Sequence, residues 1–121
     1  MSRKASEVIY ASAARTATPT VVTKRVDGYK GCVLTIDATA ASATPSVTPK
    51  IEGVMSSGAV YPLLTGAAIT GTGQTALKIY PGITAASNVA VSDLLPQTIK
   101  ITFTHGDADS ITYSADLVLI P

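Results

Sequence analysis

Apolar and polar side chains alternate strictly along this chain, and a period of two marks strands that bury one face. In Gly31 to Thr39, the residues Cys32, Leu34, Ile36 and Ala38 share one face, and Val33, Thr35, Asp37 and Thr39 share the other. Ser46 to Val54 sets Val47, Pro49, Ile51 and Gly53 against Thr48, Lys50 and Glu52. Pro49 has no N–H to give a ladder, so this strand is expected at a sheet edge or at a bulge. Val60 to Leu64 follows the turn-forming Ser56-Ser57-Gly58, and the two runs read as a hairpin. Thr75 to Tyr80 turns Leu77 and Ile79 inward and stops at Pro81-Gly82. Thr98 to Thr104 buries Ile99, Ile101 and Phe103, and Ser110 to Ile120 buries Ile111, Tyr113, Ala115, Leu117 and Leu119. Between these two, His105-Gly106-Asp107-Ala108-Asp109 is a polar loop tolerant of left-handed backbone, which predicts a second hairpin.

No window carries the apolar stripe of an amphipathic helix. Ala85 to Leu95 scatters Ser87, Asn88, Ser92 and Asp93, and reads as a loop with at most one helical turn. Adding Glu7 to Ala13 and Val21 to Val26 gives seven or eight strands. The chain is therefore expected to be all-β, an antiparallel β-sandwich in which short connections favour pairing of sequential strands. Immunoglobulin-like and jelly-roll topologies both remain open. The sandwich is expected over residues 20–121, behind an extended N-terminal arm over 1–19, where small and polar residues accompany Arg3, Lys4 and Arg15. Glu7-Val8-Ile9-Tyr10 has β-propensity without an obvious partner in the chain, so Val8, Ile9 and Tyr10 are candidates for pairing with a neighbouring subunit. The plainer reading is a loosely ordered terminus.

Composition narrows the function. A chain of 121 residues supports one core. Its charged fraction of 14% lies well below the roughly 25% of ordinary soluble domains. Few like charges keep copies apart, which suits a surface partly covered by neighbours. Nine basic residues against eight acidic ones leave a net charge of +1, too little for a sequence-independent hold on phosphate backbones, so nucleic acid is not expected as a partner. Cys32 is the single cysteine and forms no internal disulfide, so the fold needs no oxidising compartment. Neither a signal-peptide run nor a stretch of about 18 apolar residues stands in the sequence, so a soluble chain made in the cytoplasm and away from membranes is expected.

The inventory for catalysis is thin. His105 is the only histidine and sits in a predicted loop, whereas Cys32 falls on an inward strand face, so no Cys-His or Ser-His pair is expected. Zinc needs three or four ligands, and one Cys with one His do not supply them. Asp107 and Asp109 suit turn chemistry better than the six to eight oxygens of calcium. Without Trp and with one Phe, stacking platforms for sugars or single strands are poorly supplied. The glycines of Gly66 to Gly73 precede no helix and form no phosphate cradle. The expectation is no enzyme, no cofactor, no metal and no small-molecule substrate. Tyr61 and Tyr80 are candidate interface anchors, as are Val118 and Ile120, outward-facing and apolar beside Pro121. Cover by a second sheet or a loop is the plainer account of Val118 and Ile120.

Two stretches carry a resemblance. The run Y-P-L-L-T-G-A-A-I-T-G-T-G-Q-T-A-L-K-I-Y-P-G-I from Tyr61 to Ile83, followed by L-P-Q-T-I-K-I-T-F-T-H-G-D-A-D-S-I-T-Y-S from Leu95 to Ser114, is similar to small virion proteins encoded among the structural genes of tailed bacteriophages. Pro49 departs from that pattern, where an ordinary apolar residue is expected. The resemblance implies a virion component, of the capsid decoration or cement kind, whose partners are the major capsid protein and further copies of itself. It carries over no catalytic residue. A tail-tube, neck or other tail subunit is the alternative, and a module binding the host surface is the second.

Overall fold

The computed structural model describes residues 5–121. Nine strands follow one another: β1 (Ala5–Arg15), β2 (Val22–Arg25), β3 (Gly31–Ala41), β4 (Val47–Val54), β5 (Val60–Thr65), β6 (Gly73–Ile79), β7 (Ala90–Val91), β8 (Thr98–His105) and β9 (Ile111–Ile120). They form a five-stranded sheet in the order β1-β9-β3-β6-β7 and a four-stranded sheet in the order β2-β8-β4-β5. The fold is all-β and sandwich-like, with no helix among the described residues. The inward faces are those that alternation marks: Cys32, Leu34, Ile36, Leu77, Ile79, Ile99, Ile101, Phe103, Ile111, Tyr113 and Leu117 are each at most 2% exposed, in one cluster fed by both sheets.

Three expectations about pairing are overturned. The β4–β5 hairpin forms, with Gly58 at φ 91° in its turn, but β8 and β9 do not pair. β8 lies between β2 and β4, and β9 between β1 and β3, so the His105–Ser110 connection arches from one sheet to the other. Every strand here shares one core, and parity identifies the face that meets the core without saying which sheet the strand joins. Second, the segment from Ala85 to Leu95 contains β7, whose two residues pair with Lys78 and Ile79 in parallel, so the larger sheet is not wholly antiparallel. Third, Glu7-Val8-Ile9-Tyr10 has a partner within the chain: β1 runs antiparallel to β9, from Ala5 opposite Leu119 to Arg15 opposite Ile111. The described part of the 1–19 segment thus begins as a sheet strand. Met1 to Lys4, with Arg3 and Lys4, lie outside the described residues.

Pro49 is also not at an edge, because β4 is an inner strand. Its carbonyl accepts the Gly66 N–H at 2.8 Å. In an antiparallel strand the N and C=O of one residue point to the same side, so the proline nitrogen faces away from β8, just beyond the last β4–β5 pair of Lys50 and Thr65. The missing donor therefore takes no bond from the β4–β8 ladder. The irregularity falls on β5 instead: Ile51 opposes Leu64 and Glu52 opposes Pro62, which leaves Leu63 as the extra residue. That bulge is why two successive residues, Leu63 and Leu64, are both buried.

Candidate binding surface

The outward faces of the two sheets differ in chemistry. On the four-stranded sheet, the outward residues of β2, β8 and most of β4 are Thr23, Arg25, Thr98, Lys100, Thr102, Thr104, Thr48, Lys50 and Glu52, a threonine-and-charge lattice, and Val54, Val60 and Pro62 lie outward at the β4–β5 edge. The five-stranded sheet is divided. One end is polar, with Asp37, Gln74, Ser114 and Asp116 around a shallow recess in which the Gln74 amide donates to Asp37 at 3.1 Å. At the other end, the register sets Val118 beside Val33, Val33 beside Lys78 and Ile120 beside Gly31, and Tyr80, Pro81 and Ile83 continue a mostly apolar surface, with Lys78 as its one charge, in an open recess of about 580 Å³.

Local backbone chemistry builds that recess. Gly31 lies under the Tyr80 ring, and a Cβ there would collide with the Ile79 carbonyl and the ring itself, so only glycine lets β3 pass this closely. The Tyr80 hydroxyl donates to the Pro121 carbonyl at 3.5 Å. Pro81 and Gly82, with Gly82 at φ 89°, form a turn in which the Ile83 N–H reaches the Tyr80 carbonyl, and this folds Ile83 back to the face. The same end of the molecule exposes Leu94 (61%), and Met55 and Val60 at the tip of the β4–β5 hairpin.

The residues singled out from the sequence therefore separate into two groups. Val118, Ile120 and Tyr80 come together at this apolar end, all half-buried. Val8 points outward from β1 opposite Asp116 and is 62% exposed. Ile9, Tyr10 and Tyr61 instead pack against the core. The Tyr61 ring lies across Gly53 on β4, filling the space its missing side chain leaves.

Sequence reasoning missed the cluster at the opposite end. Tyr10 on β1 meets Phe103 on β8 edge-on at 5.3 Å, and Phe103 stacks on Tyr113 of β9 at 5.4 Å. β1 carries register shifts between Val8 and Tyr10 and between Tyr10 and Ala13, and the second opens the β1–β9 ladder. The Arg15 guanidinium fills that opening. It donates to the carbonyls of Tyr113 (2.6 Å), Ala11 (2.7 Å) and Ala13 (3.1 Å), and it lies 4.6 Å from the Tyr113 ring centroid. A lone Arg in a polar, alanine-rich segment gives no sequence signal of this role. Arg15→Ala is expected to cost about 1–3 kcal/mol, since charged donors are removed from three carbonyls, and Arg15→Lys should recover only part of it because an ammonium lacks the planar fork. Urea unfolding of the three proteins checks both.

His105 belongs to the same cluster. It is half-buried at the end of β8, not an exposed loop residue, and its Nε2 lies 3.0 Å from the Tyr113 hydroxyl. Burial, and then the Arg15 charge, lower its pKa from 6.5 against a smaller opposing pull from Asp107. Burial also pushes the Tyr113 hydroxyl up to about 12. A histidine whose folded pKa lies below its unfolded value is harder to protonate in the native state, so the unfolded chain takes up more protons in that window. Stability should therefore be full above about pH 6.5 and decline as pH falls below it, and His105→Gln should flatten the decline. Melting temperatures measured across that range for both proteins check the sign.

Nucleophile chemistry finds no shared site. Cys32 is 1% exposed, and burial raises its thiol to about 12. It lies opposite Leu119 and Ile79, at the far end of the sandwich from His105. Among the described residues there is no group of three His, Cys, Asp or Glu side chains placed to hold a metal ion. Asp107 and Asp109 serve the turn: Asp109 N–H donates to Asp107 Oδ1 at 3.1 Å, and Asp109 Oδ2 accepts from Thr44 N–H at 3.1 Å.

No family model and no curated protein matches the sequence. Among solved structures, the chain is similar in fold to the SPBc2 prophage-derived protein YomS, with a TM-score of 0.52 at 14% identity over 96% of this chain and 93% of that one.

Proposed function

We propose that this protein is a structural subunit of a tailed-phage particle, a decoration subunit that binds the outside of the head and bridges capsomers, and that it carries out no catalysis. The observation that carries the proposal is the apolar end of the five-stranded sheet, where, among the described residues, Val33, Val118, Ile120, Tyr80 and Ile83 lie together on the outward face around Lys78. The small charge of the chain and the likeness in fold to a prophage-derived protein support the phage reading. In this reading the major capsid protein covers the apolar end, and the polar outer face of the four-stranded sheet is left to solvent. Each contact is modest, and repetition over a symmetric shell multiplies it.

The experiment is quantitative mass spectrometry of purified particles separated into heads and tails. The expected result is this chain in heads, in a copy number comparable to the major capsid protein. A small fixed number travelling with tails would move the subunit to the tail tube or neck. Absence from particles would overturn the structural role.

A further inference from the structure

We infer that the free edge of β1 is a self-association site, at which the β1 strands of two copies pair antiparallel and join two five-stranded sheets into one. The inference goes beyond the role in the particle and does not rest on it.

The two sheets present four edge strands: β1, β7, β2 and β5. Three are blunted in the ways that proteins use against edge-to-edge pairing. β7 is two residues long, β2 is four and ends in Lys24 and Arg25, and β5 carries Pro62. β1 is eleven residues long, contains no proline or lysine, and is mostly exposed, with its two bulges as the one such device it carries. Its central residues Ala11, Ser12, Ala13 and Ala14 are small, so no bulky side chain bars a second backbone.

The direction of the free backbone groups follows from β9. The carbonyl of Ile120 accepts from Lys30 and that of Ser110 from Ser42, so the even-numbered residues of this regular strand bond to β3. The odd-numbered residues bond to β1, through Ala5 opposite Leu119, Glu7 opposite Leu117 and Arg15 opposite Ile111. The N–H and C=O groups of Ser6, Val8 and Ala14 therefore face the open edge. The two bulges of β1 interrupt this row without closing it.

Several registers bring the open groups of two copies together, and two of them are instructive. Centring the pair on Glu7 would set two Glu7 carboxylates against each other, which is unfavourable across strands. Centring it on Ala11 sets Val8 of one copy against Ala14 of the other and places no like charges opposite each other, with Glu7 already held by Lys24 and Arg15 by its three carbonyls. This second register also uses the whole strand, and it is the one inferred.

The test exploits proline at a position whose N–H serves no bond inside the fold. Val8→Pro removes an edge donor and leaves the β1–β9 ladder its own bonds. Sedimentation velocity of the full chain is expected to give twice the 12.3 kDa of a single copy, and Val8→Pro to return it to 12.3 kDa with the melting temperature that the wild-type chain has when diluted to the monomer. Hydrogen exchange on the wild-type chain is an independent reading that needs no variant. The amides of Ser6 and Val8, without a partner among the described residues of one copy, should exchange more slowly as protein concentration rises. A monomer at every concentration, a dimer that survives Val8→Pro, or fast exchange at these two amides in the dimer would each overturn the inference. Failure here would leave the mass count in particles untouched, and failure of that count would leave this result untouched.

Discussion

Phe103→Ala is expected to cost about 3–5 kcal/mol, the range for removing a fully buried aromatic side chain together with the cavity it leaves. Phe103 is 0% exposed and is the only phenylalanine. It stands on β8, in the four-stranded sheet, and touches two aromatic rings of the other sheet, Tyr10 and Tyr113. Its loss removes burial and also an aromatic contact that ties β1 to the far sheet, because Tyr10, with Ile9, brings the bulged part of β1 to the core. A domain of this size holds about 5–15 kcal/mol in total, so the substitution takes a large share. Phe103→Leu keeps most of the volume and should cost nearer 1.5 kcal/mol. Urea unfolding measures both, and hydrogen exchange should show β1 loosened beyond the rest of the larger sheet in the alanine variant. A loss below about 1 kcal/mol for Phe103→Ala would mean that the stack is not what joins the sheets at this end.

The faces were legible in the sequence and the partners were not. Alternation marks Leu34, Ile101 and Leu117 as inward, and each is buried, because a residue's side of a strand depends only on its parity. Which strand lies next to which depends on long-range pairing, and here short loops mislead: the five residues after His105 are enough to cross between sheets as well as to reverse within one. The Ser56-Ser57-Gly58 turn was readable because its geometry is local, with Gly58 supplying the positive φ. The extra residue at Leu63 and the openings in β1 were not, since each exists only relative to a partner strand. The candidate surface divides in the same way. Val118, Ile120 and Tyr80 stand out as apolar or aromatic residues on outward positions, whereas Arg15 gains its role only once a bulge leaves three carbonyls for it to hold.

That contrast sets the decisive substitution for function. Val118→Lys together with Ile120→Lys places two charges on the outward face beside Val33 and Tyr80, where neither side chain reaches the core. The fold should survive with a modest loss, because both ammonium groups can extend into water along their apolar stems. If the capsid protein covers this end, those same groups must be desolvated without partners, and the contact should lose about 2 kcal/mol or more, roughly a 30-fold drop in affinity. Thr102→Lys together with Thr104→Lys on the opposite sheet adds the same two charges to a face that the proposal leaves in solvent, and it should bind as the unaltered protein does. Adding each purified protein to particles that lack the subunit, and measuring what sediments with the heads, compares the two faces directly. Equal binding by all three would remove the apolar end from the contact. Loss only with the Thr102 and Thr104 double variant would place the contact on the four-stranded sheet, because what matters at an interface is which groups lose their water, and the two faces differ in that more than in anything else.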